Sequence, residues 1–219
     1  MQYDTLPFPL GETSDSLNRL GEAINTDLLG RIYRVPAREV PDGPTKAYMR
    51  RTGFPLCVVV LKNANVNETT LKGSRVLVRD LTAGISPMHQ VTGYANALRT
   101  PHIVISDEFL GQGGVEFGKL FYGVIDGPVQ LLTSATEADF NGDWAPGDWL
   151  ISAASGADLD DDAAGRPSKV VIDGTSATTG GTTAMQNVFN RIGYTLEAAD
   201  ASDPADQGAL KLVKACILY

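Results

Sequence analysis

The chain is poor in the residues that carry chemistry. Its 219 residues include two histidines and two cysteines, and the four lie far apart in sequence. Neither His89 nor His102 has a cysteine or second histidine at metal-ligand spacing. No metal, cofactor or catalytic residue is therefore expected. Cys57 and Cys216 sit inside the apolar runs FPLCVVVL and KACILY, so both are expected as buried free thiols that behave as small hydrophobes. A disulfide would require their two strands to be neighbours. No apolar run reaches the ~18 residues of a membrane span. The opening MQYDTLPFPLGE lacks a basic patch followed by an apolar stretch, so neither a secretory signal nor a membrane partner is expected.

Positive charge is scarce in the second half. Residues 1–101 hold twelve Lys/Arg and nine Asp/Glu, whereas residues 102–219 hold six and seventeen. An acidic half argues against nucleic-acid binding there, because a phosphate backbone demands cations. The basic cluster Arg31, Arg34, Arg38, Lys46, Arg50 and Arg51 either meets an acidic protein surface or forms a solvated face. Aromatic residues make up 7%. Trp144 and Trp149, with Phe117, Phe121 and Tyr122 upstream, suit core packing better than a sugar-stacking platform.

What the chain has in quantity is short β-rich runs separated by Gly, Pro and Asp. GRIYRVP and TKAYMRR read as strands on either side of the turn signal REVPDGPT. FPLCVVVLK is continuously apolar and β-branched, the pattern of a buried central strand. SRVLVRD alternates, with Val76 and Val78 on one face and Arg75, Leu77 and Arg79 on the other. MHQVTGYANAL and HIVIS follow as strands, and DEFLGQGGVEFG as a Gly-rich loop. From residue 117 the same rhythm continues through KLFYGVIDGPVQLLT, NGDWAPGDWLISA, SKVVIDG, NRIGYTLEAAD and ALKLVKACILY. The expectation is a mainly β protein of β-barrel or β-sandwich domains, with an extended N-terminal arm and at most one short helix. The divisions are an arm with a short helix (1–28), a β-rich domain (29–116) and a small β-barrel domain (117–219). The helix belongs to SDSLNRLGEAINTDLLG, where Leu17, Leu20, Ile24 and Leu28 repeat at helical spacing. The arm either reaches a neighbouring subunit or packs on its own domain.

Several motifs approach a known chemistry and fail. Gly84-Ile85-Ser86-Pro87-Met88 opens like a nucleophile elbow, but Met88 stands where the sharp turn needs Gly, and Pro87 removes a backbone N–H. Gly111, Gly113, Gly114 and Gly118 lack the spacing of a dinucleotide loop. Asp158, Asp160 and Asp162 match the start of a calcium loop, but Ala163 and Lys169 occupy the positions of its Gly and Glu. With Asp161 they either gather a weak divalent ion or form an acidic solvated loop, and the solvated loop is the expectation. Asp107 and Glu108 pair two carboxylates, yet adjacent residues of a strand point to opposite faces. Asn67-Glu68-Thr69 is a glycosylation triplet that carries no weight without a secretory signal.

Some of these runs resemble virion structural proteins of tailed bacteriophages: YDTLPFPLGETSDSL, RRTGFPLCVVVLKN, FYGVIDGPVQLLTS with APGDWLISA, and RIGYTLEAAD with ALKLVKACIL. More narrowly, residues 117–219 resemble capsid decoration (cement) proteins with a small β-barrel. Gly127-Pro128, Gly147-Asp148-Trp149-Leu150 and Ile192-Gly193-Tyr194-Thr195-Leu196-Glu197-Ala198 follow the order of that family's strands. The resemblance implies a non-enzymatic protein on the outside of an icosahedral shell, made in the host cytoplasm. It implies the major capsid protein as partner and a homo-oligomer, with a trimer favoured. A head-fibre base, tail or adaptor component is the alternative, and a carbohydrate-binding module or small hydrolase a more distant one.

Overall fold

The computed structural model describes residues 5–15, 28–64, 70–79, 89–94, 103–111, 113–140, 142–152, 166–170 and 191–217. The protein is mainly β. Among the described residues twelve strands are formed: β1 (Ile32–Val35), β2 (Leu56–Asn63), β3 (Thr70–Leu71), β4 (Val76–Arg79), β5 (Gln90–Tyr94), β6 (Ile103–Ser106), β7 (Val115–Glu116), β8 (Leu120–Leu132), β9 (Trp149–Ser152), β10 (Pro167–Lys169), β11 (Arg191–Thr195) and β12 (Leu210–Cys216). Helix α1 spans Pro44–Thr52, and α2 is a single turn, Glu137–Phe140.

Ten strands join in one sheet, in the order β1-β2-β5-β4-β6-β8-β12-β11-β9-β10, and β2 also pairs with β8. That extra pairing closes a cycle through β2, β5, β4, β6 and β8. From β8 the sheet continues as an open antiparallel run to β10. The two β-rich halves thus share one sheet, because β8 of the second half pairs with β2 and β6 of the first. The barrel-like closure was expected within 117–219. Among the described residues it lies instead around β2, β4, β5, β6 and β8, and the strands of 117–219 fan out as an open sheet.

Alternation sorts the apolar residues into two cores. Cys57, Val59, Leu61, Leu77, Val91, Val104 and Phe121 pack on the inner side of the closed cycle. Val58, Val60, Val76, Ile105, Tyr122 and Val124 point the other way and join Val129, Leu150, Ile192 and Val213. β2 is buried on both faces, as a continuously apolar run requires. β4 also separates as expected, Val76 joining one core and Leu77 the other, and Arg75 and Arg79 are both buried. Gly123 faces the inner core, where an added Cβ would stand 2.4 Å from Val104 and 2.6 Å from Leu61.

TKAYMRR is helix, not strand. Gly43 precedes Pro44 at the first helical position, and Gly53 closes the helix in the left-handed conformation, its N–H donating to Met49 O. Thr45 and Met49, four apart, turn inward as one helical stripe. The expected helix of SDSLNRLGEAINTDLLG lies mostly outside the described residues. The arm, at residues 5–15, packs on its own body: Leu10 is buried, and Ser14 forms an antiparallel bridge with Leu120 at the start of β8.

Candidate functional site

Two places concentrate polar chemistry, and the first is the groove that holds the arm. Asp107 follows β6 and caps a 3-10 turn at Glu108–Leu110, its Oδ1 accepting from Phe109 N–H. Its Oδ2 accepts from the arm at Gly11 N–H, 2.7 Å away. Gly11 has φ +82, and a Cβ there would lie 2.8 Å from Phe109 O, so only glycine fits so close to the turn. Tyr122 grips the arm a second time. Its hydroxyl donates to Phe8 O at 2.8 Å and accepts from Phe8 N–H at 3.2 Å, while the two rings stack 4.2 Å apart. Lys119 forms an ion pair with Asp15. Glu108 points elsewhere, accepting from the hydroxyl of Thr45 on α1 and from Gln130 N–H on β8.

Burial pushes the Asp107 carboxyl up to about 6, against the pull of the Gly11 and Phe109 N–H groups. Glu108 rises to about 7 for the same reason, with neighbouring Asp107 adding to it. Burial likewise raises the Tyr122 phenol. Two neighbouring carboxylates with raised pKa values are the ingredients of an acid–base pair. Here each carboxylate is committed to donors of the protein itself, and Asp107 is 2% exposed. The arrangement clamps the arm and α1 to the sheet and makes that clamp sensitive to pH. In a strand the two carboxylates would point to opposite faces. Asp107 instead begins a turn, for which Asp followed by Glu-Phe-Leu was an available signal.

The second place is one face of the sheet. Cross-strand register sets Arg34 opposite Cys57, Cys57 and Cys216 each opposite Asp126, and Tyr194 opposite both Lys214 and Trp149. Directly opposed residues share a face. Arg191 lies 4.4 Å above the Trp149 ring, and Trp149 meets Tyr194 edge-on at 5.4 Å. Lys214 pairs with Asp126 and sits 5.5 Å from the Phe54 ring. Phe54 leads to Tyr48 at 6.3 Å, over which Arg51 stands at 5.5 Å. Phe54 and Ile32 remain 40% and 48% exposed. Cations and aromatic rings thus alternate from β9 to the end of α1, the composition that enriches interface hot spots.

The other residues singled out in sequence fall as follows. Arg31, Arg34, Arg38, Arg50 and Arg51 are exposed, while Lys46 is partly buried and paired with Asp42 at 2.8 Å. His89 packs against Gly30, and burial lowers its pKa, with Arg79 adding to the effect. Trp144, Phe121 and Tyr122 are core residues, Trp149 is half-buried beneath Arg191, and Phe117 is 55% exposed. Lys169 forms an ion pair with Asp148 at 2.8 Å. Gly111, Gly113, Gly114 and Gly118 belong to the turns around β7. Ser86, Met88, His102, the Asn67-Glu68-Thr69 triplet, Asp158, Asp160, Asp161, Asp162 and Ala163 lie outside the described residues. Among the described residues, no group of three His, Cys, Asp or Glu is placed to hold a metal ion. None of their helices is long and apolar enough to cross a membrane.

Cys57 and Cys216 are both free. Their strands flank β8 on opposite edges and are not neighbours, so two strand spacings of ~4.8 Å separate them and no disulfide fits. Burial raises both thiols. Cys57 is buried and Cys216 only half-buried, against the expectation that both are deep. In the native protein a thiol reagent is expected to modify Cys216 at least tenfold faster than Cys57, read by mass spectrometry of the labelled peptides. Equal rates would contradict this burial.

No family model, curated protein or solved structure matches the chain.

Proposed function

We propose that the protein is a non-enzymatic virion structural protein that binds the outer surface of an icosahedral phage shell and stabilises it. The carrying observation is where the three decoration-like patterns fall. Gly127-Pro128 lies in β8, Gly147-Asp148-Trp149-Leu150 leads into β9, and Ile192 to Ala198 covers β11 and the bend after it. With β12 these strands are consecutive in the sheet, in the order β8-β12-β11-β9. Patterns up to 70 residues apart therefore build one surface. In this reading the cation–aromatic face meets the shell, with the exposed Arg31, Arg34 and Arg38 at its β1 border. Many copies, as a homo-oligomer with a trimer favoured, multiply weak contacts to the major capsid protein into firm attachment.

Purified protein mixed with undecorated heads is expected to load to a fixed number of copies per head by mass photometry. A chain carrying Arg31→Glu, Arg34→Glu and Arg38→Glu should bind at least tenfold more weakly at low salt, since three charges of the interface change sign. Unchanged occupancy of the variant would remove this border from the interface. Rings or tubes formed without heads would favour a tail component instead.

A further inference from the structure

The arm and its groove form a self-contained recognition unit. The segment 5–15 contributes Phe8, Leu10, Gly11, Ser14 and Asp15. The groove answers with Tyr122, Asp107, Leu120 and Lys119. The tertiary hydrogen bonds and the ion pair of the arm reach residues 96 to 114 positions away. Within itself the arm makes a turn, Glu12 N–H to Pro9 O. The groove therefore recognises the arm by its shape and its donors and not by where it joins the body. Twelve residues, 16–27, connect the two.

We infer that this groove is a receptor for residues 5–15 of a second copy of the chain, so that copies are linked by exchange of their arms. The exchanged contact uses the same bonds as the one seen within a single chain, so the two forms differ mainly in connection entropy, the usual condition for domain swapping. A high local concentration of copies, such as any oligomeric assembly provides, then tips the balance toward exchange. Gly11 is the discriminating position. With φ +82 and Phe109 O 2.8 Å from any added Cβ, a side chain at residue 11 excludes the arm from the groove and leaves the groove itself intact. The inference does not depend on what the protein attaches to.

The test is complementation between two full-length variants. Gly11→Val has a defective arm and an intact groove. Tyr122→Leu has an intact arm and a groove without its clamp. Asp107→Ala serves as a second groove variant, should Tyr122→Leu fail to fold by near-ultraviolet circular dichroism. In sedimentation velocity each variant alone is expected as a monomer at concentrations where the wild type associates, and the mixture as a heterodimer joined by one arm. A labelled peptide of residues 5–15 should bind the Gly11→Val chain at least tenfold more tightly than the same peptide carrying Gly11→Val. A mixture that sediments as two folded monomers overturns the inference. So does a Gly11→Val chain that associates as well as the wild type, because the link would then lie elsewhere.

Discussion

Replacing Gly127 with valine is expected to cost about 4 kcal/mol or more. Gly127 lies where β8 passes from its partner β2 to its partner β12, beside a register shift at Cys57. Its φ is +112, a conformation that β-branched residues avoid at a cost of about 1–3 kcal/mol. A Cβ there would also lie 2.5 Å from Pro55 O and 2.8 Å from the Leu56 Cα. Those are backbone atoms of the segment entering β2, so no side chain can swing aside. Overpacking against such a wall adds about 1–3 kcal/mol. For a chain of this size each kcal/mol lowers the melting temperature by about 2–4 °C, so a fall of roughly 10 °C or more is expected by calorimetry. Gly53→Ala is the control. It also has positive φ, but nothing lies within 4 Å of its Cβ direction, so it should lose only about 1 kcal/mol at the end of α1. Similar melting points for the two variants would mean that the crossing at Pro55 and Leu56 is not tight.

This glycine also shows why part of the fold was legible and part was not. FPLCVVVLK read as a buried strand because burial on both faces leaves a continuous apolar run, and β2 has just that environment. Asp126-Gly127-Pro128 carries the residues of a tight turn as well. The chain instead continues straight through as β8, with the glycine serving a close crossing. Local chemistry announces that a glycine is needed and does not say for which purpose. TKAYMRR was misread because Thr45 and Tyr48 favour strands locally, while the signals that decide are at its ends, Pro44 and Gly53. The arm's partners were illegible for a different reason. Gly11 and Asp107 are 96 positions apart, and no periodicity links them. The cation–aromatic face is likewise a product of register, since Arg34, Trp149, Arg191 and Lys214 become neighbours only when β1, β2, β8, β12, β11 and β9 line up. Composition hinted at charge asymmetry but not at which rings the cations would cover.

Stability is expected to fall by roughly 2–4 kcal/mol between pH 5 and pH 8, contrary to the flat maximum common in that range. Asp107 and Glu108 are the cause. An unfolded carboxyl at 3.8 loses its proton well before one held at about 6 in the fold, and the same holds for 4.5 against about 7 at Glu108. Between those values the native state binds more protons than the unfolded state, so stability declines as pH rises through them. At 1.36 kcal/mol per pH unit each group ends near 3 kcal/mol of lost stability once it is ionised in both states. Part of that loss has already occurred by pH 5. Other carboxylates run the opposite way: Lys46 holds Asp42 low, and Lys211 holds Asp206 low. Their contribution is present above about pH 4 and fades in stronger acid. The optimum should therefore sit near pH 4, between the two trends. Urea unfolding at pH 5 and pH 8 measures the difference directly. Glu108→Gln keeps the shape, can still accept from Thr45, and removes the titration, so it should flatten the slope between pH 6 and 8. An unchanged slope in that variant would assign the dependence to another group, and equal wild-type stability at the two pH values would mean that neither carboxyl is held protonated.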